Sequence, residues 1–201
     1  TPWRTLMERR PRDIHATFDW VVRQSADPSG PLFGCVDESD GYVVSGYSFG
    51  GYTAYAVGGA EVNDAWGESY TGLHDERVTQ VVTHAAWDGY RALVEGTADI
   101  RVPVLTIGGE RDGTVGTAYM ELHSHIRSPT RALASFPDAG HYTPVPHYCE
   151  VLWPGDGCGS MYMDPSVYLS ITKTSVLAFL EHNRGRTGAW DQIVAHPAVE
   201  W

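Results

Sequence analysis

Three residues at three separate turns could share one piece of chemistry. Ser48 stands in Gly46-Tyr47-Ser48-Phe49-Gly50-Gly51, Asp112 in Gly108-Gly109-Glu110-Arg111-Asp112-Gly113, and His141 closes Pro137-Asp138-Ala139-Gly140-His141. A serine hydroxyl is a poor nucleophile at neutral pH and needs a neighbouring base. Histidine suits that work because its pKa lies near neutrality. The base in turn needs a carboxylate that holds its tautomer and stabilises the imidazolium. Nine histidines are present, and His141 alone follows a predicted strand directly through a tight turn. His123 and His125 lie two apart on a predicted helix and point to different faces, a poor metal pair. Glu110 and Asp138 are the rivals of Asp112 for the acid. Asp138 is too close in sequence to His141 to face its ring easily.

The elements that must position these residues are legible as alternating strands and helices. Tyr42-Val43-Val44 is a run of β-formers, and residues 49–57 can continue from the serine as a helix. Strand, sharp turn and helix are the context that exposes a nucleophile at a strand tip. The flanking glycines Gly46 and Gly50 are expected to be sterically required there. Further strands are predicted at 42–45, 78–83, 101–107 and 130–136, with helices at 13–25, 116–126 and 165–182. Asp13 and Asp164 are the expected N-caps, the second followed by Pro165 at the first helical turn. Residues 1–12 read as basic and irregular, and 58–77 as a long surface excursion. Residues 89–99 read as helical or irregular. Trp190 and Trp201, in the tail, are expected to pack back onto the body. The alternation argues an α/β fold: a mostly parallel sheet flanked by helices, in a single domain over 1–201. In such sheets sites gather at the carboxyl ends of strands. Ser48, Trp87, Asp112 and His141 all fall there.

Composition narrows the function classes. The 201 residues hold 42% apolar and 19% charged residues, ordinary for a chain with a core. The formal charge of −11 repels phosphate backbones and anionic lipid, so no nucleic-acid partner is expected. No apolar run approaches a membrane span. No cationic n-region with an apolar h-region opens the sequence, so any signal peptide is expected to have been removed or to lie outside it. Three cysteines are present. Cys149 and Cys158 flank a short, turn-rich stretch, so a disulfide could close a loop within 142–163, contributing about 2–3 kcal/mol. Three unrelated thiols are the alternative. With that bridge formed, Cys35 is left over and is expected to be buried or paired outside this chain. The bridge points to an oxidising compartment, hence a secreted or periplasmic location.

The serine hexapeptide, the run Val102-Pro103-Val104-Leu105-Thr106-Ile107-Gly108-Gly109-Glu110-Arg111-Asp112, and Pro137-Asp138-Ala139-Gly140-His141 resemble α/β-hydrolases, and their order Ser, Asp, His is the order of that superfamily. Within it the sequence is similar to the dienelactone-hydrolase-like, platelet-activating-factor-acetylhydrolase-like and cutinase-type polyester-hydrolase group, from about residue 10 to about residue 182. The resemblance implies a serine esterase acting on a small-molecule or polymeric ester, with no metal or other cofactor. It implies the Phe49 N–H as an oxyanion donor and Trp87 as a substrate contact. Tyr47 and Trp66 are candidates for the same apolar wall. One departure matters: in that group the serine follows the fifth strand, whereas here it follows a single helix. The usual first strands are missing, with the loop that supplies a second oxyanion N–H. The chain therefore resembles a carboxyl-terminal portion, and a homodimer or a complementary amino-terminal segment is the expected partner. The other reading is a non-catalytic subunit or binding module on a truncated hydrolase fold.

Overall fold

The computed structural model describes residues 2–63, 67–151, 155–186, 188 and 190. Four strands, β1 (Tyr42–Tyr47), β4 (Val78–His84), β5 (Val104–Gly109) and β6 (Arg131–Phe136), form one sheet. Their order is β1-β4-β5-β6, and every pairing is parallel. β2 (Val62–Asn63) and β3 (Ser69–Tyr70) make a separate small antiparallel pair within the 58–77 excursion. The α-helices among the described residues are α1 (Pro2–Ala26), α2 (Phe49–Val57), α3 (Ala118–His125), α4 (His147–Val151) and α5 (Pro165–His182). Asp164 caps α5, accepting the Ser166 N–H, with Pro165 in the first turn.

A parallel sheet covered on both faces needs apolar residues of both parities. β4 and β5 supply them. Val81 and Val104 pack with α1 and α2 residues, among them Met7, Tyr52 and Tyr55. Val82, Leu105 and Ile107 pack on the other face with Phe136, Tyr168 and Phe179. Trp190 joins this second layer, its ring 5.6 Å from Phe179. Trp201 lies outside the described residues.

The segment read as irregular, 1–12, is the first half of α1. Asp13 is therefore mid-helix and caps nothing. The basic run Arg4, Arg9, Arg10 and Arg12 is no bar to a helix, since arginine is a good helix former, but Pro11 inside it removes the N–H that the residue four earlier would accept. Here that orphaned acceptor is the Met7 carbonyl, and the buried Tyr52 hydroxyl donates to it at 3.2 Å. Tertiary packing thus satisfies the group that proline leaves open. Residues 89–99 consist of turns and one 3-10 helix, Gly96–Asp99. Cys149 and Cys158 are bonded, and Cys35 is exposed, which overturns the expectation of burial and leaves its alternative, a partner outside this chain. Among the described residues no helix is long and apolar enough to cross a membrane.

A polar chain threads the first core layer. Thr83 Oγ1 donates to the Tyr55 hydroxyl (3.0 Å), which lies 2.8 Å from Thr106 Oγ1, itself 3.1 Å from His123 Nδ1. Run in one direction, the donors end on His123 Nδ1 as acceptor, which requires the neutral ring. Burial, helped by Arg131, lowers the His123 pKa to about 4, and burial lowers that of His84 to about 4. In the unfolded chain both titrate near 6.5. Between those values the unfolded chain takes up protons that the folded one refuses, so stability is full above about pH 6.5 and falls toward pH 4. The limiting slope is roughly 1.4 kcal/mol per pH unit for each group. Urea titrations at pH 7, 5.5 and 4.5 should show this decline, and His123→Gln should roughly halve its slope, leaving the His84 part. A slope untouched by the substitution would refute the assignment.

Candidate active site

The end of β1 turns into α2 through one residue. Ser48 has φ 56° and ψ −119°, a conformation that side chains other than glycine rarely adopt. Its N–H donates to the His84 carbonyl (2.9 Å), and its carbonyl accepts the N–H groups of Gly51 (2.9 Å) and Trp87 (3.1 Å). The exit of β4 therefore clamps the serine on both sides. A Cβ at Gly46 would collide with the Gly50 carbonyl, and one at Gly51 would lie 2.6 Å from Ala86 Cβ. Gly50 differs from expectation. Among the described residues a Cβ there would meet only Arg10 Nη2, at 4.0 Å, so the sterically required pair is Gly46 and Gly51.

The structure brings Ser48, Asp112 and His141 together. His141 Nε2 lies 3.1 Å from Ser48 Oγ, and its Nδ1 lies 2.7 Å from Asp112 Oδ2. His141 and Asp112 are buried, and Ser48 is half-buried. The other oxygen of Asp112 accepts the N–H groups of Thr114 (2.9 Å) and Val115 (2.8 Å), so the carboxylate has one orientation. The rivals are occupied elsewhere. Asp138 pairs with Arg111 at 2.9 Å, and Glu110 accepts from Ser135 at 2.9 Å. The Phe49 N–H is the first of α2, and a helix N-terminus favours a developing anion.

The residues on either side of the serine, Tyr47 and Phe49, are aromatic, and each packs against further rings. The Tyr47 hydroxyl donates to the His141 carbonyl (2.9 Å), and its ring lies 4.9 Å from the imidazole. Burial pushes the Tyr47 pKa well above its ordinary value, so the hydroxyl stays a donor. Trp87 stands edge-on to Phe49 (5.0 Å) and Tyr90 (4.8 Å), with Trp3 at 6.1 Å. Trp3 and Tyr90 are about half exposed. Arg10 lies over the Phe49 ring at 4.5 Å. Trp66 falls outside the described residues. Sequence reasoning missed Trp3, Tyr90 and Asp156. Asp156 accepts the His141 backbone N–H at 2.9 Å. Only its Asp-Gly-Cys setting, inside the stretch flagged for a disulfide, marked it. Among the described residues no three His, Cys, Asp or Glu side chains are grouped to hold a metal.

No protein-family model matches the chain, and no curated protein matches it. Solved structures do. The chain is similar to the esterase domain of a Rhodothermus marinus protein, with 19% identity and a TM-score of 0.37 over 49% of this chain and 50% of that one. It is also similar to a structure described as "Putative Dienelactone Hydrolase" from Klebsiella pneumoniae subsp. pneumoniae, with 14% identity and a TM-score of 0.48 over 85% of this chain and 62% of that one. The chain spans less than two thirds of the length of either.

Proposed function

We propose that this protein is a serine carboxylic ester hydrolase acting through an acyl-enzyme. The observation that carries the reading is the imidazole of His141, held by buried Asp112 at 2.7 Å and lying 3.1 Å from the hydroxyl of a backbone-strained serine. Ser48 Oγ attacks the ester carbonyl as its proton passes to His141 Nε2. The Phe49 N–H stabilises the oxyanion, and His141 returns the proton to the departing alcohol. Water then enters and gives a proton to His141 Nε2 as its oxygen attacks the acyl carbon; the bond to Ser48 Oγ breaks, the carboxylic acid leaves, and His141 returns the proton to Ser48 Oγ. Asp112 accepts the Nδ1–H of His141 and keeps it facing the carboxylate.

The shelf formed by Trp87 with Trp3 and Tyr90 supports an apolar acyl, aryl or polyester substrate, since aromatic faces bury area with little loss of rotamer freedom. Tyr47 contributes a second wall. The Cys149–Cys158 bond supports a secreted or periplasmic setting. β1, which leads into Ser48, is an edge of the sheet among the described residues, the place where a second copy or a complementary segment would add.

The direct test is covalent labelling. A fluorophosphonate should modify the folded chain at one equivalent, with the adduct on Ser48 by peptide mass mapping. Hydrolysis of p-nitrophenyl butyrate should disappear in step with labelling. Folded protein that neither reacts nor hydrolyses the ester would replace this reading with a binding module.

A further inference from the structure

We propose that Asp156 is a positioning residue that staples the Asp112 turn to the His141 turn, and that the Cys149–Cys158 disulfide holds it in place. The proposal rests on the reading of Ser48, Asp112 and His141 as a triad. Asp112 and His141 come from different turns, after β5 and β6, and their mutual geometry needs those turns to stay in register. One link is the bond from Arg111 N–H to the Ala139 carbonyl at 3.0 Å. Asp156 supplies another. Its Oδ1 accepts the backbone N–H groups of His141 (2.9 Å) and Gly113 (3.0 Å), and its Oδ2 accepts the Thr114 hydroxyl at 2.6 Å. Three donors on two turns thus converge on one side chain. Burial opposes ionisation of Asp156, but the bonds from Thr114, Gly113 and His141 together leave its pKa below the ordinary value.

The loop that carries Asp156 is fastened to the His141 turn. The Asp156 carbonyl accepts the Tyr142 N–H at 2.8 Å, and Gly157 lies so close to Gly140 that a Cβ at Gly140 would strike its backbone nitrogen. Cys158 follows at once and bonds to Cys149, in α4, which itself leaves the His141 turn through Val145 and Tyr148. The disulfide closes a short ring whose start and finish both rest on the base turn. Opening it frees the segment that carries the carboxylate.

The test uses the full chain and p-nitrophenyl butyrate. Asp156→Ala should lower kcat roughly 10- to 100-fold, with KM within about twofold, because a displacement of about 1 Å at the reacting groups can cost that much. Asp156→Asn should keep activity within about threefold. Its carbonyl can accept both N–H groups and its amide can donate to Thr114 Oγ1. Reduction of the disulfide should lower kcat in the wild type and add little in Asp156→Ala, because both changes remove the same staple. Loss of kcat in Asn equal to that in Ala, or equal reduction effects in both backgrounds, would overturn the proposal. A readout independent of turnover is the His141 Nδ1–H proton, observed in ¹⁵N-histidine-labelled protein. It should persist in the wild type and Asn and exchange away in Ala. If the wild type neither hydrolyses ester nor takes the fluorophosphonate, the triad reading fails. The imidazole proton still decides the staple, and its survival in Ala would refute it.

Discussion

Ser48→Ala is expected to lower kcat on p-nitrophenyl esters by on the order of 10⁶-fold while leaving the fold intact. Where nucleophile and base act as a unit, removing either loses nearly all the catalysis that the unit supplies. The distances here are those of such a unit, with His141 Nε2 3.1 Å from Ser48 Oγ. Alanine keeps the Cβ that the turn already accommodates, so neither the strain at φ 56° nor the hydrogen bonds of residue 48 to His84 and Trp87 should change. Melting temperature should therefore stay within a degree or two. Ser48→Gly separates the two properties. It abolishes turnover equally, but relieves a backbone strain of order 1–3 kcal/mol, offset in part by the greater freedom of glycine in the unfolded chain. A variant that is inactive and more stable than the wild type would show strain held at the reacting residue. Retained turnover in Ser48→Ala would remove the serine from the chemistry.

How far the sequence alone reached depended on how local each determinant is. β4, β5 and β6 are apolar runs whose neighbours in the chain define them, and α2 was bounded as it is observed, 49–57. Ser48, Asp112 and His141 were legible because a parallel sheet delivers every strand's carboxyl end to one edge. The structure brings those three together and leaves Glu110 and Asp138 on other partners. Non-local determinants stayed hidden. α1 reads as a helix only from Asp13, while the group that satisfies the acceptor left open by Pro11, the Tyr52 hydroxyl, sits 45 residues from Met7. Gly51 rather than Gly50 is the crowded glycine because Ala86, from the β4 exit, presses on it. Trp3 reaches Trp87 only after α1 has packed on α2. Asp156 receives donors from Gly113, Thr114 and His141, a set that no spacing pattern announces.

Asp112→Asn should cost about 10⁴-fold in kcat, and the hydrogen bonds around the carboxylate say why. One oxygen of Asp112 accepts the N–H groups of Thr114 and Val115, at 2.9 and 2.8 Å. Those donors are backbone and cannot reverse. The asparagine carbonyl must take that position, which turns its NH₂ toward His141 Nδ1. An NH₂ donates, so Nδ1 has to accept and the ring proton moves to Nε2, facing Ser48 Oγ. Nε2 can then no longer receive the serine proton, and the charge that would stabilise the imidazolium is gone. The protein should keep its fold, because all three hydrogen bonds survive with one of them reversed. Asp112→Ala behaves differently. It loses similar activity, but also removes the acceptor of two partly buried N–H groups, those of Thr114 and Val115, at a cost of about 1 kcal/mol each. The comparison should separate orientation from charge. In Asn, ¹⁵N chemical shifts of His141 should report the Nε2–H tautomer, with denaturant midpoint near the wild type. In Ala the midpoint should fall. A near-normal rate in Asn, with the imidazole still carrying its proton on Nδ1, would mean that Asp112 is a turn former and that another group orients the base.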